Sequence, residues 1–149
     1  MAEHVWSIVS KRAVIDRDSN NISLFDVIER ISFHGPVEPD LNEKIVIPFD
    51  HTVTIYWART NWEKPEKNKC KVTWGKNKEL LSQVLEIDLT EFKRTRNILE
   101  LKGFPFSGSG VYFFKIFLQD KKGGQERWKK VASIPIEVSF TPDPKAIKN

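Results

Sequence analysis

One cysteine, one methionine, two tyrosines and three histidines among 149 residues leave little material for several kinds of chemistry. A lone Cys70 cannot close an internal disulfide, and one thiol with His4, His34 and His51 scattered along the chain gives no metal-ligand spacing. Neither a metal nor a resident cofactor is expected. No apolar run approaches the roughly 18 residues that a membrane-spanning helix requires, and mean hydropathy is −0.42. The basic-then-apolar leader of an exported chain is also missing, so a cytoplasmic protein without membrane attachment is expected. Gly-x-Ser-x-Gly, His-Glu-x-x-His and the P-loop are absent, and the stretch from Gly103 to Gly110 lacks the Lys-Ser/Thr ending of a phosphate cradle. These absences argue against an enzyme.

What is present is a composition able to build a core, with 40% hydrophobic and 30% charged residues, patterned mostly with a period of two. Ile134, Ile136, Val138 and Phe140 alternate with Pro135, Glu137 and Ser139, and Pro135 suits an edge strand. From Val111 to Gln119 both faces are apolar, as in a central strand. Val53, Ile55 and Trp57 alternate with Thr52, Thr54, Tyr56 and Ala58 in a third strong strand. Weaker strands are expected over residues 5–16, 45–49, 71–74, 84–89, 98–101 and 126–132, separated by turn-forming Asp, Asn, Gly and Ser. Leu24 to Phe33 reads better as a strand than as a helix, returning against residues 5–15. Short helices are alternatives at residues 78–84 and 90–94. Many short strands with regular turns indicate an all-β sandwich or barrel, here one domain over residues 1–141 with a flexible tail at 142–149.

The run from Leu99 through Gly110-Val111-Tyr112 into the alternating strand resembles the penultimate strand of immunoglobulin-like sandwiches. There a Gly-x-Tyr step forms a corner whose phenol bonds backbone upstream. Phe114 stands where antibody domains carry a cysteine. The resemblance implies an antiparallel sandwich of about seven to nine strands and is silent on activity. Over Val5 to Val138 the chain is similar to a small family of uncharacterised bacterial proteins. The likeness lies in an Asp-rich loop (Asp16 to Asn21), Ser23-Leu24-Phe25, the Gly-x-Tyr strand and Ile134-Pro135-Ile136, and it implies a fold and no site.

Net charge is +4, from 24 Lys plus Arg against 20 Asp plus Glu, and the excess is local. One cluster spans Arg59 to Lys78 and includes Lys64, Lys67, Lys69 and Lys71. A second holds Lys121, Lys122, Arg127, Lys129 and Lys130. Such clusters attract polyanions or simply keep a domain soluble. Trp57 and Trp74 read as core or strand-end residues, which leaves Trp62 as the loop aromatic beside the lysines. Val111, Phe113 and Phe117 form a second apolar face that something should cover, either the Leu24 to Phe33 segment or a second copy of the chain. Asp16-x-Asp18-x-Asn20 begins like a calcium loop, but Asn21 and Val27 stand where that loop needs Gly and Glu, so an ordinary turn is expected. Cys70 reads as an inert strand cysteine and the three histidines as exposed. The resulting expectation is a non-catalytic binding or assembly module for a protein partner or itself. Trp62, Lys64, Lys67, Lys69, Lys121, Lys122 and Arg127 are its surface candidates. A nucleic-acid or polyanion binder is the second reading, and an enzyme with a site assembled from scattered residues is the third.

Overall fold

The computed structural model describes residues 1–35, 45–120 and 126–142, and these contain strands and turns without a helix. Nine strands follow one another: β1 (Ala2–Ile15), β2 (Ile22–Val27), β3 (Arg30–Gly35), β4 (Ile45–Arg59), β5 (Glu66–Gly75), β6 (Glu79–Leu89), β7 (Arg94–Phe106), β8 (Gly110–Asp120) and β9 (Arg127–Pro142). They form two sheets, one ordered β2-β1-β4-β7 and one ordered β3-β9-β8-β5-β6. We call these the four-stranded and five-stranded sheets; the latter curls as a half-barrel. All pairs are antiparallel except β3 with β9, which run parallel. That pair departs from the purely antiparallel arrangement expected.

Leu24 to Phe33 is neither one strand nor a helix. β2 pairs with β1 in the four-stranded sheet and β3 joins β9 in the other, with Ile28 between them buried and donating its amide to the Val9 carbonyl at 2.8 Å. One apolar side chain sinking into the core splits the segment, a decision that local pattern does not carry. Residues 78–84 are not helical either, because β6 runs through them in register with β5. Residues 90–93 form the turn into β7. Pro135 lies in β9, an interior strand of its sheet. The parallel neighbour begins only opposite Glu137, so the missing N–H of Pro135 falls where β9 is paired on one side alone. Strand β9 continues to Pro142, opposite Gly35. The rest of the expected tail, residues 143–149, lies outside the described residues.

The core lies between the sheets. Trp57 and Trp74 are both buried, and their indole N–H groups are satisfied by Asn97 Oδ1 and the Pro105 carbonyl, each at 2.8 Å. Trp74 is thus core rather than a strand end, stacked on Tyr112 at 5.0 Å with the rings 17° apart. The Tyr112 hydroxyl donates to the Gly108 carbonyl and accepts from the Ser107 amide, both at 2.7 Å. Gly108, at a φ of 97°, supplies the left-handed backbone that this corner needs. The tyrosine corner expected from Gly110-x-Tyr112 is therefore formed. β4 is unusual in being buried on both faces. Val53, Ile55 and Trp57 face the core, while Thr52, Thr54 and Ala58 on the other side are also covered, so the outer face of the four-stranded sheet is itself roofed.

Candidate functional site

The roof is built by β1 and β2. β1 pairs with β4 from Ala2 to Ser10 and with β2 from Ser10 to Ile15, so its second half leaves the sheet as one limb of a two-stranded arm. At the arm's tip the Asp16 carboxylate accepts the backbone amides of Asp18 and Ser19 at 2.9 and 2.8 Å, and these bonds hold it below the usual carboxylate range. This is a self-bonded turn, as expected, and Asn20 takes the left-handed conformation at a φ of 60°. Arg96 Nη2 donates to the Asn20 carbonyl at 2.6 Å. Since Arg96 lies opposite Tyr56 and Tyr56 opposite Trp6, the tip has folded back to the level of Trp6, above the outer face of the sheet.

Between arm and sheet lies a cleft of about 760 Å³, floored by Trp6, Tyr56 and Ile98, rimmed by Phe92, Arg94 and Arg96, and walled by Ile15 and residues 19–22. The Trp6 and Tyr56 rings lie 5.4 Å apart and 30° from parallel. Phe92 is 69% exposed at the mouth. No carboxylate, imidazole or thiol belongs to the lining. The cleft therefore offers planar rings, two guanidinium groups, hydroxyl and amide side chains and backbone edges, groups suited to stacking, charge and hydrogen bonding, with no carboxylate or imidazole base beside the hydroxyls. In the next rung of the same face of β4, Thr54 keeps Oγ1 buried without a hydrogen-bond partner.

Arg59 fixes the open end of this region. It is buried, and its guanidinium donates to three carbonyls: Nε to Leu89 at 2.8 Å, Nη1 to Trp62 at 3.0 Å and Nη2 to Thr90 at 3.0 Å. One cation thereby pins the β4–β5 loop to the β6–β7 turn. Across that junction Lys93 Nζ and the Arg94 guanidinium sit 5.0 and 5.3 Å from the Trp62 ring centre. Trp62, expected as a surface aromatic, is 46% exposed and meets the cleft through Arg94.

The other expected residues gather on the outer face of the five-stranded sheet. Val111, Phe113 and Phe117 alternate along β8 opposite the buried Tyr112, Phe114 and Ile116. Val111 is exposed, while Phe113 and Phe117 are half-buried. The Leu24 to Phe33 segment does not cover them, since β2 belongs to the opposite sheet and β3 lies at the edge of this one. Lysines lie over the rings instead. Lys71 Nζ is 5.0 Å from both Phe117 and Trp128, and Lys115 Nζ is 5.9 Å from Phe113. Lys67 and Lys69 are exposed on β5, with Lys67 3.8 Å from Glu86. Lys64 is exposed in the β4–β5 loop and Arg127 at the start of β9. Lys121 and Lys122 fall outside the described residues. Gln119, opposite Trp128, is buried with Oε1 unpartnered.

Cys70 is buried in β5 and its thiol is pushed up to about 12 by desolvation. His34 is exposed and His4 half-buried. His51 departs from the expectation of exposed histidines. It is buried among Phe49, Phe104 and Phe114, bonds the Phe49 carbonyl through Nδ1 at 2.8 Å, and is held below the usual imidazole range by burial. Among the described residues no three His, Cys, Asp or Glu side chains cluster as a metal site, and no helix is long and apolar enough to cross a membrane. Trp6, Phe92, Arg94 and Arg96 were not singled out from sequence, while Tyr56 was read only as a strand residue and Arg59 only as one end of a basic cluster. The available signal was Tyr56 beside Trp57, large aromatics on opposite faces of one strand, which means that both faces are covered. No protein-family model matches the chain, and no curated protein matches it significantly.

Proposed function

We propose that this chain is a non-catalytic binding module on an immunoglobulin-like sandwich, and that it holds its ligand in the cleft between the β1–β2 arm and the four-stranded sheet. The immunoglobulin-like reading is supported by the tyrosine corner and by the Trp74–Tyr112 stack between neighbouring strands. The motifs Asp16 to Asn21 and Ser23-Leu24-Phe25, which carry the likeness to the bacterial family, belong to the arm. The observation that carries the binding reading is the cleft lining itself, two neighbouring aromatic rings and two guanidiniums under a folded-back arm with no acid, imidazole or thiol among them. Its size suits a small ligand or one unit of a polymer.

The test is a panel of anionic planar compounds, neutral planar compounds and saccharides followed by amide and indole NMR. Compounds that bind are expected to shift Trp6, Tyr56, Arg94 and Arg96 and to be recovered unchanged. Shifts confined to other surfaces, or chemical conversion of a bound compound, would overturn the reading.

A second reading has its own observation. On one face of the five-stranded sheet Lys71 lies over Phe117 and Trp128 and Lys115 over Phe113, with Lys67 and Lys69 exposed further along β5, a pattern suited to a polyanion. Salt-dependent retention on heparin that is lost in Lys71→Glu supports it; salt-independent flow-through sinks it. A symmetric dimer through Val111, Phe113 and Phe117 would bring Lys71 and Lys115 toward their own copies, so like-charge repulsion opposes it. A monomeric mass by light scattering is expected, in the cytoplasmic setting read from the sequence.

A further inference from the structure

We infer that the ligand of the arm-covered cleft is a nucleotide, its base lying on the Trp6–Tyr56 floor and its phosphate meeting Arg94 at the mouth. This inference rests on the binding reading above. A base needs a flat apolar surface with hydrogen-bonding edges beside it. The floor gives two rings 5.4 Å apart, and the wall formed by residues 19–22 gives the side-chain amides of Asn20 and Asn21 together with backbone groups of the arm. A phosphate needs fixed cations. Arg94 lies 5.3 Å from the Trp62 ring centre, and a guanidinium packed on an indole still presents its N–H edge to an anion. Arg96 donates to the Asn20 carbonyl through Nη2 and lines the cleft beside Arg94.

The charge balance agrees. The nearest carboxylates in sequence are Asp16, whose oxygen is committed to the turn amides, Asp18 in the same turn, and Glu91 beside Phe92. None of the three lines the cavity. The cavity of about 760 Å³ falls within the size range of pockets that enclose small ligands. The chemistry does not end at the mouth, because Phe92, Lys93 and Trp62 continue the alternation of ring and cation outward from Arg94. A free mononucleotide and one nucleotide of a single strand share the chemistry that the cleft reads, and a strand would add contacts along this outer track.

The experiment titrates the full chain with adenosine monophosphate, adenosine, inorganic phosphate, a short oligodeoxyadenylate and heparin. It follows the Trp6 indole resonance and the amides of residues 19–22, and it includes the exposed-site variants Arg94→Gln and Phe92→Ala, whose unchanged melting curves establish that they fold. The monophosphate is expected to shift Trp6, with adenosine and phosphate each weaker by about tenfold or more because each supplies half of the contacts, and Arg94→Gln is expected to weaken the monophosphate by about tenfold. If the oligonucleotide binds tighter than the monophosphate, with a salt-dependent gain that Phe92→Ala removes, a single strand is the source. Equal affinities assign the free nucleotide. Heparin shifting the same resonances as strongly as the monophosphate would overturn the nucleotide in favour of charge alone. Silence of the cleft toward every nucleotide, with saccharides or neutral planar compounds still shifting Trp6, would overturn the nucleotide and leave the binding module standing. Silence toward all of them overturns both.

Discussion

The two sheets of this molecule meet solvent in opposite ways. On the four-stranded sheet the outer face is roofed by its own arm, and the two arginines of its cleft are held at defined points: Arg96 on the Asn20 carbonyl and Arg94 against Trp62. On the five-stranded sheet the face has no such roof among the described residues, and the cations across Phe113, Phe117 and Trp128 are the lysines Lys71 and Lys115. The difference is one of preorganisation. A planar guanidinium tied to carbonyls keeps its remaining donors pointed, whereas an ammonium on a four-carbon stem is a mobile charge that covers apolar surface. Under the proposed function the first face selects a ligand by shape, and under the second reading the other attracts anions without selecting among them. Each carries one buried oxygen without a partner, Thr54 Oγ1 on the first and Gln119 Oε1 on the second.

The sharpest way to break the comparison is Arg59→Ala. Removing the cation leaves three carbonyls without their donor in a buried junction, and the expected loss is about 3 to 4 kcal/mol in urea unfolding. The Trp62, Lys93 and Arg94 resonances should shift while those of Phe117 and Trp128 stay in place. A loss under about 1 kcal/mol would show that the guanidinium is no anchor.

Tyr112→Phe comes next and serves as the control that favours neither face. The corner loses both hydrogen bonds of the hydroxyl, and about 1 to 2 kcal/mol of stability should go with them, with no local response in the cleft or on the lysine face. An unchanged urea midpoint would remove the tyrosine corner from the argument.

A pH series probes β4, the strand beneath the roof. His51 is held below the usual imidazole range chiefly by burial, and His4 is lowered by burial as well. The unfolded chain therefore takes up protons before the folded one does. The stability these residues contribute is fully present above the unfolded histidine value, about 6.5, and is lost as pH falls below it. His51→Gln should flatten that acid-side slope, and an unaltered slope would assign it to other groups. At the alkaline end the direction reverses for Cys70, which stays protonated up to about 12 in the folded chain. Stability should therefore fall as pH rises above the unfolded thiol value.

The smallest effects should distinguish the faces most directly. Arg96→Gln removes the Arg96 bond to the arm, so amide exchange at residues 19–22 should accelerate severalfold while global stability changes by less than about 1 kcal/mol. Lys71→Gln should cost less than about 0.5 kcal/mol, because an exposed cation over a ring contributes little. It should also leave arm exchange untouched. Equal acceleration of the arm in both variants would erase the distinction drawn here.

Sequence pattern alone determined the strand-rich fold class, the core alternation of Val53, Ile55 and Trp57 and the second apolar face of β8, while the tyrosine corner came from the resemblance of Gly110-Val111-Tyr112 to immunoglobulin-like sandwiches. Each rests on neighbours two to five residues apart, where side-chain alternation and turn chemistry act locally. Tertiary structure decided the rest. Whether residues 24–33 made one strand or two depended on Ile28 finding the core. The parallel β3–β9 pair joined residues about a hundred positions apart, a proximity that no local pattern encodes. The lysine clusters were visible as charge, but Lys71 of β5 meeting Phe117 of β8 and Trp128 of β9 required those strands to be neighbours. The cleft required more still, because Trp6, Tyr56, Phe92, Arg94 and Arg96 come from three strands and a turn and converge only when the arm folds back across its own sheet. That fold is held by contacts between distant residues, and the free energy that selects it exists only in the assembled chain.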